Sequence, residues 1–156
     1  MLEIKSIIEF DPIDLTAKHK KQSDWKRTAI CLIDDDIDKY YSWFLKKRFN
    51  LELNRPIRKA HITIINDRVE DKEKYNQAKE IFNNKEIIFT FKPDEIRSNG
   101  EHFWLKVYNT DIEAIREFAG LTRKPHFNLH LTLGYANEKN IHHAQYILRQ
   151  IMKHNL

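Results

Sequence analysis

The chain has 156 residues, 41% of them hydrophobic and 32% charged, and Lys and Arg outnumber Asp and Glu by 27 to 23, for a net charge of +4. That is one ordinary domain with apolar material for a core, which excludes a disordered chain, and no apolar run reaches the roughly 20 residues that span a bilayer. A single cysteine, Cys31, excludes an internal disulfide framework and a Cys-based zinc cluster, and the chain has no Walker or GxGxxG loop. The N-terminus, MLEIKSIIEF, carries neither a basic leader nor a small-residue cleavage site. The expected setting is therefore the cytoplasm, with no membrane partner. The mild positive excess permits a nucleotide or nucleic-acid partner without demanding one.

Residues 1–26 read as the least regular part, and the polar, basic run DLTAKHKKQSDWK within them as a loop or short helix. Thr28 to Ile33 is a short β-branched run that reads as a strand. Asp34 to Asp36 offer caps for a helix to about Phe49, carried by Ile37, Tyr40, Tyr41, Phe44 and Leu45, with Trp43 expected in the core beside Phe44. Pro56 marks a loop before a strand at Ala60 to Ile65. A weaker amphipathic helix comes next over Asp71 to Phe82. Glu86 to Lys92 and His102 to Tyr108 read as strands separated by the turn-rich segment PDEIRSNG. Thr110 and Glu113 form a capping-box pattern opening a helix that Gly120 closes. Asn128 to Tyr135 is the last core strand, and Glu138 to His154 a closing helix. The order β-α-β-α-β-β-α-β-α predicts one α+β domain over residues 1–156. Its two halves each end in a similar strand, which suggests two lobes related by a pseudo-twofold.

The informative feature is His61-Ile62-Thr63-Ile64 and its echo His130-Leu131-Thr132-Leu133. Side chains alternate faces along a strand, so each His shares a face with its Thr while the aliphatics share the other. Composition alone predicts about 0.02 copies of His-aliphatic-Thr-aliphatic, and two occur. Phosphodiester cleavage needs a base for the attacking oxygen and an acid for the leaving oxygen, and imidazole fills both roles near neutral pH. Threonine hydroxyls can donate to the non-bridging oxygens, where charge builds in the transition state. This chemistry requires no metal and no cofactor.

HITI and HLTL resemble the paired H-x-T-x signatures of the 2H phosphoesterase superfamily, which includes 2′-5′ RNA ligase-like proteins, 2′,3′-cyclic phosphodiesterases and viral enzymes that destroy nucleotide immune signals. PHFNLHLTLG is similar to the lead-in to the second family motif, and FTFKPDEIRSNGEHFWLKV to the hairpin before it. The resemblance covers Thr28 to the C-terminus. It implies a bilobal domain with antiparallel sheets, helices outside, and both motif strands facing a central cleft. It also implies that His61 and His130 are the acid-base pair and Thr63 and Thr132 the phosphate binders. Short length and motif spacing resemble the small phage members that cleave cyclic oligonucleotides of bacterial CBASS defence, which implies a host-cytoplasm setting if the chain is viral. The implied partners are a nucleotide, a cyclic oligonucleotide or RNA. The alternatives are a non-catalytic binding module using the same cleft and an RNA repair or 2′-5′ ligase-like factor.

Further candidates surround the motifs. Arg55, Arg58 and Lys59 precede the first, and Arg123 and Lys124 the second; either set is a cationic rim for phosphates or a solvated loop. Arg58 and Arg123 are preferred because a guanidinium can grip phosphate with two donors. Trp25 and Trp104 are candidates for stacking on a nucleobase, Trp104 because it shares a polar strand face with His102 and Lys106. In a straight strand Tyr135 falls on the core-facing side, opposite His130 and Thr132. No acidic residue stands at ligand spacing beside His126 or the His142-His143 pair, so no metal site is expected there. Cys31 is expected to be a buried small hydrophobe.

Overall fold

The computed structural model describes residues 1–12, 27–33, 36–56 and 58–154. Its elements are β1 (Leu2–Phe10), β2 (Ala29–Ile33), α1 (Ile37–Phe49), β3 (His61–Ile65), α2 (Lys72–Phe82), β4 (Glu86–Phe91), β5 (Ile96–Ser98), β6 (His102–Lys106), α3 (Asp111–Phe118), β7 (His130–Tyr135) and α4 (Ile141–His154). Two antiparallel sheets result, one ordered β3-β2-β1-β4 and the other β5-β6-β7. The α+β reading holds.

Two strands go beyond the sequence reading. Residues 2–10 are not irregular: β1 lies inside the larger sheet, hydrogen-bonded to β2 on one side and β4 on the other. Ile4, Ser6, Ile8 and Phe10 point to the core, and the buried Ser6 hydroxyl donates to the Ile87 carbonyl at 2.8 Å, which offsets its desolvation. β5 lies within the turn-rich segment and is held by its partner β6.

The two sheets share one core. Ile4, Ile8 and Phe89 of the first belong to the same buried cluster as Phe103, Leu105 and Leu131 of the second. Backbone pairing also bridges the sheets, since Thr90 of β4 exchanges two hydrogen bonds with Tyr108, just beyond β6. β3 and β7 are edge strands of different sheets, and they lie close beside each other.

The helices cover this core with some local surprises. Tyr41 and Leu45 are buried along α1, but Trp43 falls off that stripe and is 55% exposed, so it does not pack in the core. Asp36 occupies the N-cap of α1 without a side-chain cap bond and pairs instead with Lys39; Asp34 and Asp35 lie outside the described residues. The Thr110-Glu113 capping box does not form. Thr110 has helical backbone angles, and the Ile112 amide is satisfied by the Asn109 side chain. Gly120 does close α3, at a φ of +80° that favours glycine.

Candidate active site

Each motif strand alternates as expected, then breaks step. In β3, His61 and Thr63 are partly exposed while Ile62 and Ile64 are buried; β7 repeats this with His130, Thr132, Leu131 and Leu133. Immediately afterwards each strand carries two consecutive buried residues, Ile64-Ile65 and Leu133-Gly134. The registers show why. Ala29 and Ile30 face Ile65 and Thr63, skipping Ile64, and Phe103 and Trp104 face Gly134 and Thr132, skipping Leu133. Each motif strand thus has a β-bulge at the same place, which re-aims the side chains beyond it. Both strands turn their aliphatics into one core and lie close to each other at the seam between the sheets, so each His-Thr pair is on the side of its strand away from that core.

The two imidazoles are held alike. His61 Nδ1 lies 2.8 Å from the Lys59 carbonyl, and His130 Nδ1 lies 2.7 Å from the Asn128 carbonyl. A carbonyl oxygen can only accept, so Nδ1 carries a proton in both rings. Nε2 is then the nitrogen that takes up or gives away a proton, and the Nδ1 bond fixes ring orientation and tautomer. Each pair therefore offers one proton-transferring nitrogen and one hydroxyl on the same strand face.

The bulge in β7 changes Tyr135. Parity in a straight strand sends it to the core, but the extra residue at Leu133 returns it to the side of His130 and Thr132, where it is partly exposed and opposite His102. Cross-strand partners share a face, so the face of the smaller sheet carries Arg97 opposite Trp104, Trp104 opposite Thr132, Lys106 opposite His130, and His102 opposite Tyr135. Trp104 meets His130 edge to face, with ring centroids 6.1 Å apart. The corresponding face of the larger sheet is different: Leu32 stands opposite His61 and Ile30 opposite Thr63, with Ile7 and Glu9 in the next row.

The candidate cations are placed unevenly. Arg58 is partly buried at the approach to β3. Arg55 pairs with Asp38 of α1 at 2.8 Å, and Arg123 with Glu117 at 2.9 Å and Glu113 at 3.5 Å on α3. A phosphate would have to compete with those carboxylates for either guanidinium. Trp25 lies outside the described residues, as does the rest of 13–26. The place of Arg97 beside Trp104 was not visible in the sequence, because its segment reads as a turn and only the β5–β6 register shows its face.

Supporting groups lie beneath the site. Arg116 is fully buried and grips Asp67 with two bonds of 2.7 and 2.8 Å, while it also donates to the Ile64 carbonyl of β3 at 3.0 Å. The Arg116 guanidinium holds the Asp67 carboxyl below its usual range. Gly134 is fixed by close approach: a Cβ there would sit 2.6 Å from the Asn54 carbonyl oxygen and 2.9 Å from Leu53 Cβ. Asn54 and Tyr135 exchange backbone bonds of 2.8 and 3.0 Å at that point. Cys31 is buried and its thiol is pushed up to about 12 by desolvation, as fits a packing residue. No cluster of three His, Cys, Asp or Glu able to hold a metal occurs among the described residues.

Comparison with known families decides the relationship. The model of the Swiss Army Knife 2H phosphoesterase domain matches residues 28–142, which is most of the chain and includes both motif strands. The chain belongs to the 2H phosphoesterase family. The resemblance read from HITI and HLTL is thereby established, and with it a phosphodiesterase type of activity in general terms, on a nucleotide or RNA-type substrate. No curated protein and no solved structure matches this 2H phosphoesterase.

Proposed function

We propose that this 2H phosphoesterase cleaves RNA-type phosphodiester bonds, 3′-5′ or 2′-5′, in linear or cyclic oligonucleotides, by metal-independent acid-base catalysis with His61 and His130. The observation that carries this reading is the matched pair of imidazoles, each tied through Nδ1 to the carbonyl two residues before it and each followed two residues later by a threonine.

In the reaction, one neutral imidazole takes the proton of the ribose hydroxyl next to the scissile linkage. The freed oxygen attacks phosphorus, and the bond to the leaving ribose oxygen breaks as the second, protonated imidazole supplies its proton. Thr63 and Thr132 donate to the non-bridging oxygens as negative charge builds there. The product is a 2′,3′-cyclic phosphate plus a free hydroxyl. Water then opens the ring with the two histidines in exchanged roles. The near-identical anchoring of the two rings suits this exchange, since neither is set apart by its backbone bond. A cytoplasmic setting, where RNA and nucleotide signals are at hand, goes with this reading.

The test is a substrate panel of cyclic di- and trinucleotides of the CBASS type, 2′,3′-cyclic nucleotides, RNA dinucleotides and 2′-5′ oligoadenylate, assayed in EDTA. Turnover of at least one class, abolished in the His61→Ala, His130→Ala double variant, is expected. Binding with ligand recovered intact across the whole panel would establish a binding module instead, and joining of RNA ends would establish a ligase-like factor.

A further inference from the structure

The seam between the sheets divides two unlike faces. Moving outward from His61 and Thr63 across the larger sheet, the next rows hold Leu32 and Ile30, then Ile7 and Glu9. Moving outward from His130 and Thr132 across the smaller sheet, the next row holds Trp104 and Lys106, and Arg97 stands beyond Trp104. A hydroxyl, an indole and a guanidinium thus stand in line on three neighbouring strands, Thr132, Trp104 and Arg97. Adjacent strands lie about 4.8 Å apart, so the backbones of Thr132 and Arg97 are separated by roughly 10 Å. The length of the arginine side chain lets its charge work anywhere in that interval.

Arg97 is only loosely engaged, its Nη1 donating to the neighbouring Ile96 carbonyl at 3.4 Å. Its ion-pair contact with Glu95 is long, at 4.0 Å, and Glu95 already accepts the Tyr108 hydroxyl. Arg55 and Arg123, by contrast, each sit within 2.9 Å of a carboxylate. Lys106 leans the other way, its ammonium 5.1 Å over the Tyr108 ring.

We infer that the face of β5 and β6 is a subsite for a second phosphate, in which Arg97 holds the phosphate next to the scissile one and Trp104 stacks on the base between them. The substrate is then an oligonucleotide with at least two phosphates, linear or cyclic, rather than a 2′,3′-cyclic mononucleotide, and it extends over the smaller sheet only. The inference rests on the two-histidine reading for which phosphate is scissile. Its test is separable, because it needs binding and not turnover.

The probes are the deoxyadenosine dinucleoside monophosphate and trinucleoside diphosphate, which lack the 2′-hydroxyl needed for self-cleavage, titrated calorimetrically into the full-length protein. The second phosphate is expected to tighten binding roughly tenfold, the size of one charge-assisted contact. It is also expected to steepen the salt dependence of log affinity by about 0.7, as for one further single-strand phosphate. Arg97→Gln should erase both differences and leave affinity for the monophosphate unchanged, Arg97→Lys should retain part of them, and Trp104→Ala should weaken both probes. Equal affinity and salt slope for the two probes in the wild type, or a trinucleotide advantage that survives Arg97→Gln, would overturn the inference. Loss of turnover on RNA with this binding pattern intact would count against the catalytic reading alone.

Discussion

β3 and β7 carry the same tetrapeptide pattern, the same bulge and the same Nδ1 anchor, yet they are embedded by different means. β3 is stapled from below by a charge: Arg116, fully buried, spans from the Ile64 carbonyl to Asp67. β7 is held by backbone contact, with Gly134 pressed against Leu53 and Asn54. The second bulge residue is Ile65 in β3 and Gly134 in β7, and only the latter has another chain segment across it at a distance that excludes a side chain. Their neighbours differ as well, aliphatic beside β3 and aromatic and cationic beside β7. The repeated features are those the proposed proton transfer would use; the differing ones hold each strand in place.

Removing the repeated part should have the largest effect. His61→Ala and His130→Ala are each expected to lower kcat on an RNA dinucleotide by about 10²–10⁴, the usual weight of one acid or base. The two losses should agree within an order of magnitude in single-turnover assays. A large loss in one variant only would break the symmetry between the strands.

The staples come next, and they should act on stability in different ways. Asp67→Ala leaves Arg116 buried without its carboxylate and is expected to cost about 3 kcal/mol in urea unfolding. Gly134→Ala must displace the Asn54 carbonyl and is expected to cost about 1–3 kcal/mol, as overpacking does. It should also disturb Tyr135, seen as a shift in its ring signals by NMR. A Gly134→Ala variant as stable as wild type would mean that Asn54 does not lie across β7 in solution.

The smallest effect is the pH dependence of the Asp67–Arg116 pair. The folded carboxyl lies below its unfolded value near 3.9, so the pair's contribution is complete above that value and is lost as pH falls through the lower folded one. Asp67→Asn should therefore flatten the acid side of the Tm-against-pH curve and leave its slope above about pH 5 unchanged. An unaltered acid limb would remove Asp67 from the account of acid stability.

The His-Thr alternation was legible in the sequence because it is local: four consecutive residues state which side chains share a face. The unread features are non-local. β1 hides its alternation because Ser6 sits on the core side and Ile7 on the outer side, an arrangement made tolerable by the Ile87 carbonyl across the sheet. β5 is three residues long inside a run of turn formers and is defined by β6. The bulge that turns Tyr135 outward comes from the register with β6, and nothing in HLTLGY alone announces it. The ion pairs of Arg55 and Arg123 were equally unreadable, since their carboxylate partners lie on helices apart from them in sequence.

The central claim, two histidines exchanging acid and base roles, is tested most directly by the pH-rate profile of RNA dinucleotide cleavage in the wild type and in each single His→Ala variant. The account predicts a bell for the wild type, with the two limbs belonging to the two imidazoles, and the loss of one limb in the residual activity of each variant. A bell whose two limbs both survive in either variant would contradict it.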